Sequence, residues 1–330
     1  MAGRDLAELP KAHLHLHLEG AMRPASLQEL AAERGVGVPP VREFTGFAAF
    51  AGLYVAACEL LTSERLLRRL VREVVEDAAA DGVVWLEPAF YSPRYRSTVG
   101  PDQHTIEIVL DELRTAGDAL GVGTGLIVAA DRTLDPAEAL GLAHVAAGFA
   151  GQGVVGFGLA NDEAGYPPEP FAPAFAVAVD AGLLSVPHGG ELAGPESVRG
   201  CLDACGAHRV MHGIRAVEDP ALLARLADDG VCLDVCPSSN VALSVVPSID
   251  VHPLPRLIEA GVRCSINADD PLLFGPGILE EYALCRDQLG LGEADLARVA
   301  GWSLDASAAP AAVLDAGHAG IAQWMGEVRP

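Results

Sequence analysis

The densest chemistry in the chain lies near its start, where Lys11-Ala12-His13-Leu14-His15-Leu16-His17-Leu18-Glu19-Gly20 alternates strictly after Ala12. In an extended strand this spacing puts His13, His15 and His17 on one face and the leucines on the other. A row of imidazoles facing away from apolar packing must offset a desolvation cost, and neutral imidazole nitrogens are good zinc ligands. A hydrolytic metal site needs three or four N/O ligands and one open position for water. The missing donors must therefore come from elsewhere in the chain.

Eight short apolar, β-prone runs lie near 12–18, 83–90, 122–130, 153–160, 183–188, 209–213, 231–236 and 262–268. Between them, stretches such as 65–80 and 220–229 carry Leu, Val and Ala at helical spacing with charges between. Eight β-then-α units predict an α/β fold, a (β/α)8 TIM barrel, with additional helices from about 276 onward and one domain over 1–330. On such a barrel the active site sits at the C-terminal ends of the strands. Residues there are His15, His17 and Glu19 after the first run, Asn161-Asp162-Glu163 after the fourth and His188-Gly189-Gly190-Glu191 after the fifth. His212-Gly213 ends the sixth run and Asn267-Ala268-Asp269-Asp270-Pro271 the eighth.

Three imidazoles and a carboxylate from His15, His17, His188 and Asp269 would then hold one zinc ion per chain. Glu191 is placed to donate a proton, while His212 and Asp270 would orient or deprotonate the attacking water. His13, deeper in the strand, reads as structural. Lys11 is the only lysine, against 21 arginines, and it precedes the first strand. It cannot bridge a second metal at a mid-barrel strand end, so a mononuclear site is expected.

Composition narrows the partners. A formal charge of −23 over 330 residues argues against nucleic acid and against an anionic membrane surface. A small molecule, or further copies of the chain in a homo-oligomer, are the expected partners. Seven cysteines without a Cys-x-x-Cys pair do not form a secreted disulfide framework, which points to a cytoplasmic setting. No signal peptide is evident, and the longest apolar run, 47–58, is too short to span a bilayer.

The run 10–20, then His188-Gly189-Gly190-Glu191, Arg209-Val210-Met211-His212-Gly213, Cys236-Pro237-Ser238-Ser239-Asn240 and Asn267-Ala268-Asp269-Asp270-Pro271, resemble the adenosine deaminase family of metal-dependent amidohydrolases. The resemblance runs in order over almost the whole chain. It implies the same zinc ligands, Glu191 as donor to purine N1, His212 as the residue activating the water, and Asp270 as a partner of the water and of N7. It also implies departures at the substrate. Glu19 stands where an aspartate usually meets the ribose 5′-hydroxyl, and Asn161 where a glycine usually approaches N3. Gly158 stands where the family usually has an aspartate, and Gly189 where it has alanine.

Glu19, Asn161 and the segment 165–170 are similar to branches acting on adenine or on 6-aminodeoxyfutalosine, a 5′-extended adenine nucleoside of menaquinone biosynthesis. The expected substrate is a 6-aminopurine nucleoside, preferably 5′-extended, bound by His17, Glu19, Asn161, Asp270 and Arg23. Arg94, Arg96 and Arg132 also fall in loops at the catalytic end. Adenosine deaminase proper, adenine deaminase and a non-catalytic nucleoside-binding barrel are the alternatives, and two bound metals would favour an amide or phosphoester hydrolase. A cytidine-deaminase-type zinc site is excluded, because no paired cysteine follows Cys236-Pro237.

Overall fold

A computed structural model describes residues 3–41 and 44–326. Its strands are β1 (Lys11–His17), β2 (Val83–Phe90), β3 (Gly123–Thr124), β4 (Leu126–Asp131), β5 (Val154–Ala160), β6 (Leu184–Gly189), β7 (Arg209–His212), β8 (Cys232–Val235) and β9 (Arg263–Ile266). All pair in parallel, in the order β1-β2-β4-β5-β6-β7-β8-β9, with β3 pairing only with β2. The single run expected at 122–130 is thus interrupted. Gly125 sits between the two pieces, and a Cβ there would lie 2.7 Å from Val155.

The sheet closes through the first run's own chemistry. The His17 N–H donates to the Asp269 carbonyl at 2.9 Å, and the Asp269 N–H to the His15 carbonyl at 3.1 Å. Leu16 and Asp269 thereby form a parallel bridge between β1 and the segment after β9. The result is the (β/α)8 barrel the sequence predicts, with extra helices. Two of them, Pro24–Arg34 and Phe47–Cys58, are inserted between β1 and β2. Ile278–Asp287, Glu293–Asp305 and Ala311–Trp324 follow β9.

Helix Glu64–Ala80 shows why the intervening stretches are helical. It buries Leu66, Leu67, Leu70, Val71, Val74, Val75 and Ala78, which recur every three or four residues. Helix Pro220–Asp229 has both ends specified: Asp219 accepts from the N–H groups of Ala221 and Leu222, and Gly230 terminates it at φ 68°. Strands covered on both faces read as continuous apolar runs. Strand β1 alternates instead, because Leu14 and Leu16 pack into the main apolar core while its histidines point into the barrel.

Inside the barrel, Ala89, Ile127, Ala129, Val186 and Met211 form a small apolar cluster. A fully buried ion triad also spans the interior. Arg209 donates to Glu87 at 2.8 Å and to Asp234 at 2.9 Å, and the Trp85 indole donates to Glu87 at 2.7 Å. Among the described residues no helix is long and apolar enough to cross a membrane. All seven cysteines are buried and unpaired.

Removing one member of such a triad leaves a charge stranded in a medium that cannot solvate it. Arg209→Met is expected to destabilise the fold by about 3–5 kcal/mol. Chemical denaturation at neutral pH measures it, and a loss below about 1 kcal/mol would show that the carboxylates find other partners.

Candidate active site

Strand geometry delivers the imidazoles to one point. His15 and His17 lie two apart on β1, His188 near the end of β6 and His212 at the end of β7, while Asp269 follows β9. The Asp269 Oδ1 is 3.3 Å from Nε2 of both His15 and His17, and the His17 and His188 Nε2 atoms are 3.3 Å apart. The His15 ring centroid lies 4.8 Å from that of His188 and 4.5 Å from that of His212. Two donor groups that could hold a metal emerge among the described residues: His15, His188, His212 and Asp269, and His17, Asp269 and Asp270. They share Asp269, so they describe one site.

Counting protons separates ligands from donors. His15 Nδ1 faces the Asp234 carbonyl at 2.9 Å, and a carbonyl can only accept, so Nδ1 carries the hydrogen. In the neutral ring Nε2 is then bare, and it is buried without a hydrogen-bond partner among the described residues, as a metal ligand requires. His212 is the opposite case. The Leu254 N–H donates to His252 Nδ1 at 3.1 Å, so His252 Nε2 donates to the Asn240 carbonyl oxygen at 3.1 Å. The Asn240 amide nitrogen then donates to His212 Nδ1 at 3.1 Å. Neutral His212 consequently keeps its hydrogen on Nε2, which faces Glu191 at 3.4 Å and Asp269 at 3.8 Å. Burial and the neighbouring imidazole of His15 hold the His212 pKa well below its usual value, consistent with the neutral form.

Carboxylates around the imidazoles divide in the same way. Burial pushes the Asp269 carboxyl up, but His15, His17 and His212 outweigh it and hold it well below the usual range. Ser239 fixes it further with a hydroxyl 2.6 Å from Oδ2. Burial, then Asp269 and Glu163, push Glu191 well above the carboxylate range. Burial, then Asp269, do the same to Asp270. Glu191 Oε1 and Asp270 Oδ1 have no hydrogen-bond partner among the described residues. Asp270 sits against Gly20, where a Cβ would fall 1.6 Å from Oδ1. The glycine that ends the first run is there for close approach.

The loop carrying Glu191 is held from beneath by Glu163. Its carboxylate accepts four backbone N–H groups, from Gly190, Glu191, Leu192 and Ala193, at 2.6–2.9 Å. Arg132 adds a guanidinium bond to the His188 carbonyl at 3.1 Å. Asp269, His212 and Asn161 adopt left-handed backbone at φ 61°, 63° and 81°, a conformation that costs non-glycine residues energy and clusters at functional sites.

One cavity joins these groups. It is lined by His17, His188, Glu191, His212, Asp269 and Asp270 on one side and by Asp131 and Asn161 on another. Helix Phe47–Cys58 contributes Phe47, Phe50, Ala51, Tyr54 and Val55, so the apolar run 47–58 walls the cavity. Asn161 donates to Asp131 at 2.8 Å. The structure leaves two expected substrate residues off the wall. Glu19 is buried and accepts from the hydroxyls of Tyr54 and Tyr95 at 3.1 and 3.0 Å. Arg23 is the second: its guanidinium is held by Asp77 at 2.6 Å and Glu76 at 2.9 Å across helix Glu64–Ala80, away from the cavity wall. It precedes a helix that starts at Pro24, and the nearest carboxylates are on that neighbour. His13 accepts from the Ala268 N–H, and burial with His15 and Lys11 lowers its pKa to about 3. Lys11 donates to the Leu6 and Asp81 carbonyls at the other end of β1. Sequence reasoning had no role for Ser239, Asn240, His252 or Glu163, which act through bonds between distant segments. The quoted Ser-Ser-Asn motif was the available signal for two of them.

The adenosine deaminase family model matches residues 10–322. The chain belongs to the adenosine deaminase family. It is 45% identical, over 98% of both chains, to a Streptomyces coelicolor protein bearing the name adenosine/adenine deaminase. Identity is 36% to the aminodeoxyfutalosine deaminase of Streptomyces avermitilis, covering 92% of this chain and 89% of that one. The crystal structure of an Arthrobacter aurescens adenine deaminase superposes with a TM-score of 0.90 at 30% identity, over 96% of this chain and 99% of that one. This family member is a hydrolase of the C–N bond, of the type that deaminates aminopurines.

Glu163→Gln removes the charge that gathers four N–H groups and loosens the Glu191 loop. Misplacing a reacting group by about 1 Å costs on the order of 10²-fold. Turnover is expected to fall about 10–100-fold while the protein still binds its metal. Steady-state kinetics beside elemental analysis checks this, and unchanged kcat would remove Glu163 from the positioning of Glu191.

Proposed function

We propose that the chain is a mononuclear zinc deaminase acting on a 6-aminopurine nucleoside with an extended 5′ group. The observation carrying this is the convergence of His15, His17, His188 and Asp269 with Glu191, His212 and Asp270 around one cavity. His15, His17, His188 and Asp269 would hold the ion, and His212 stands outside that set because its Nε2 carries a hydrogen. When bound, zinc supplies a Lewis acid that makes water nucleophilic near neutral pH.

The chain's own groups do the rest. Protonated Glu191 delivers its proton to purine N1 and makes C6 electrophilic. His212 donates from Nε2 and orients the water. Asp270, returned to its ionised form by the cation that would sit beside it, accepts a proton from that water, holds it against N7 and passes it to the exocyclic amine. Oxygen adds to C6, the C6–N bond breaks, ammonia leaves, and the added hydroxyl gives its proton back to Glu191 as the 6-oxopurine forms. A non-catalytic barrel has no use for this set.

Asn161 on the cavity wall and the relationship to an aminodeoxyfutalosine deaminase support the extended nucleoside. A second reading, free adenine, is supported by the adenine deaminase among its structural relatives. Ammonia release from 6-aminodeoxyfutalosine, adenosine, 5′-methylthioadenosine and adenine decides between them. The proposal expects the highest kcat/KM for the first, and activity confined to adenine would establish the second reading. Glu191→Gln is expected to lower kcat by at least about 10²–10⁴-fold with metal retained. Near-native turnover would reassign the proton donor.

A further inference from the structure

Four arginines come from the loops at the catalytic end, and the structure commits three of them elsewhere. Arg23 is held by Asp77 and Glu76. Arg96 is held by Asp102 at 2.6 Å and Glu138 at 3.5 Å. Arg132 is buried and bonded to the Tyr166 and His188 carbonyls at 2.9 and 3.1 Å. Arg94 alone among the four lines the cavity, and among the described residues no carboxylate lies within 4 Å of its guanidinium.

Its setting is built for a cation. The guanidinium carbon stands 5.8 Å from the ring centroids of both Tyr54 and Tyr91, within cation–π range. The nearby acid, Glu19, already accepts from the Tyr54 and Tyr95 hydroxyls. Arg94 Nε is buried and has no hydrogen-bond partner among the described residues. A buried, unpaired guanidinium N–H in a ligand cavity is costly unless a ligand satisfies it. Arg94 is also the one residue that this cavity shares with a second one, lined by Val36, Pro39, Leu61, Tyr95 and Thr98. Arg94 therefore stands on the wall of both cavities.

We infer that Arg94 is a specificity-determining residue that binds an oxyanion, carboxylate or phosphate, carried by the substrate beyond its purine and ribose. The planar fork of guanidinium donors matches either oxyanion bidentately, a contact that neutral adenosine cannot make. The inference rests on the purine reading of the same cavity, and it moves the tail-recognition role from Arg23 to Arg94.

Binding of 6-oxopurine probes to the zinc-loaded full chain tests it apart from turnover. Inosine, inosine 5′-monophosphate and inosine 5′-carboxylic acid are titrated by calorimetry. A charge-assisted contact of this kind predicts at least about tenfold tighter binding of one anionic probe than of inosine. Arg94→Met is expected to collapse that ratio towards one, Arg94→Lys to keep part of it, and Arg23→Met to leave it intact. A preference for the carboxylate identifies a carboxylated tail, and a preference for the monophosphate a nucleotide. Equal binding of all three probes by the wild type overturns the inference whatever the variants do, as does a preference that survives Arg94→Met. Ammonia release is scored separately, so absence of deamination would overturn the proposed reaction and not the anion contact.

Discussion

The seam between β1 and Asp269 is the constraint from which the site follows. Two backbone hydrogen bonds, His17 to Asp269 and Asp269 to His15, close the barrel with the very residues whose side chains meet inside it. Barrel closure and donor convergence are thus one event. Asp269 takes a left-handed backbone conformation to accomplish both, and the serine on the chain after β8 holds its carboxylate in place. The strain is stored where the chemistry is required.

Around that seam the buried imidazoles would repel one another if charged, and burial already disfavours charge. For His15 and His212 the hydrogen-bond partner on the far side of the ring decides whether the inner nitrogen carries a hydrogen. A carbonyl behind His15 frees its inner nitrogen, whereas an amide behind His212, itself oriented by His252, places a hydrogen there. The difference between a ligand and a water-orienting donor is therefore written in a relay that starts at the Leu254 backbone. The same logic lets a single negative charge, Asp269, stay ionised beside Glu191 and Asp270, whose carboxyls are pushed the other way.

Much of this was legible in the sequence because it is local. Strict alternation placed the histidines of β1 on one face, and the eight apolar runs fell on the barrel strands with only the third interrupted, at Gly125. His188, Glu191, His212 and Asp269 were readable as strand-end residues, and the structure brings them together. Pairings between distant segments were not readable. Glu163 beneath the Glu191 loop, and Asn240 behind His212, are recognisable only once β5, β6, β7 and β8 stand side by side. The ion pairs of Arg23 were hidden for the same reason: its distance from β1 in sequence is short, but the acids that hold it lie on helix Glu64–Ala80. The apolar run 47–58 carried a hydrophobic signal without an address, and its address is the cavity wall.

On this structure proton placement, beyond proximity, would make His15 a ligand and His212 a donor. Elemental analysis of His15→Ala and His212→Ala, prepared side by side, gives the zinc content per chain. His15→Ala is expected to lose most of its zinc while His212→Ala retains about one ion per chain, as for a mononuclear site. Loss of zinc from His212→Ala with retention in His15→Ala would contradict this placement.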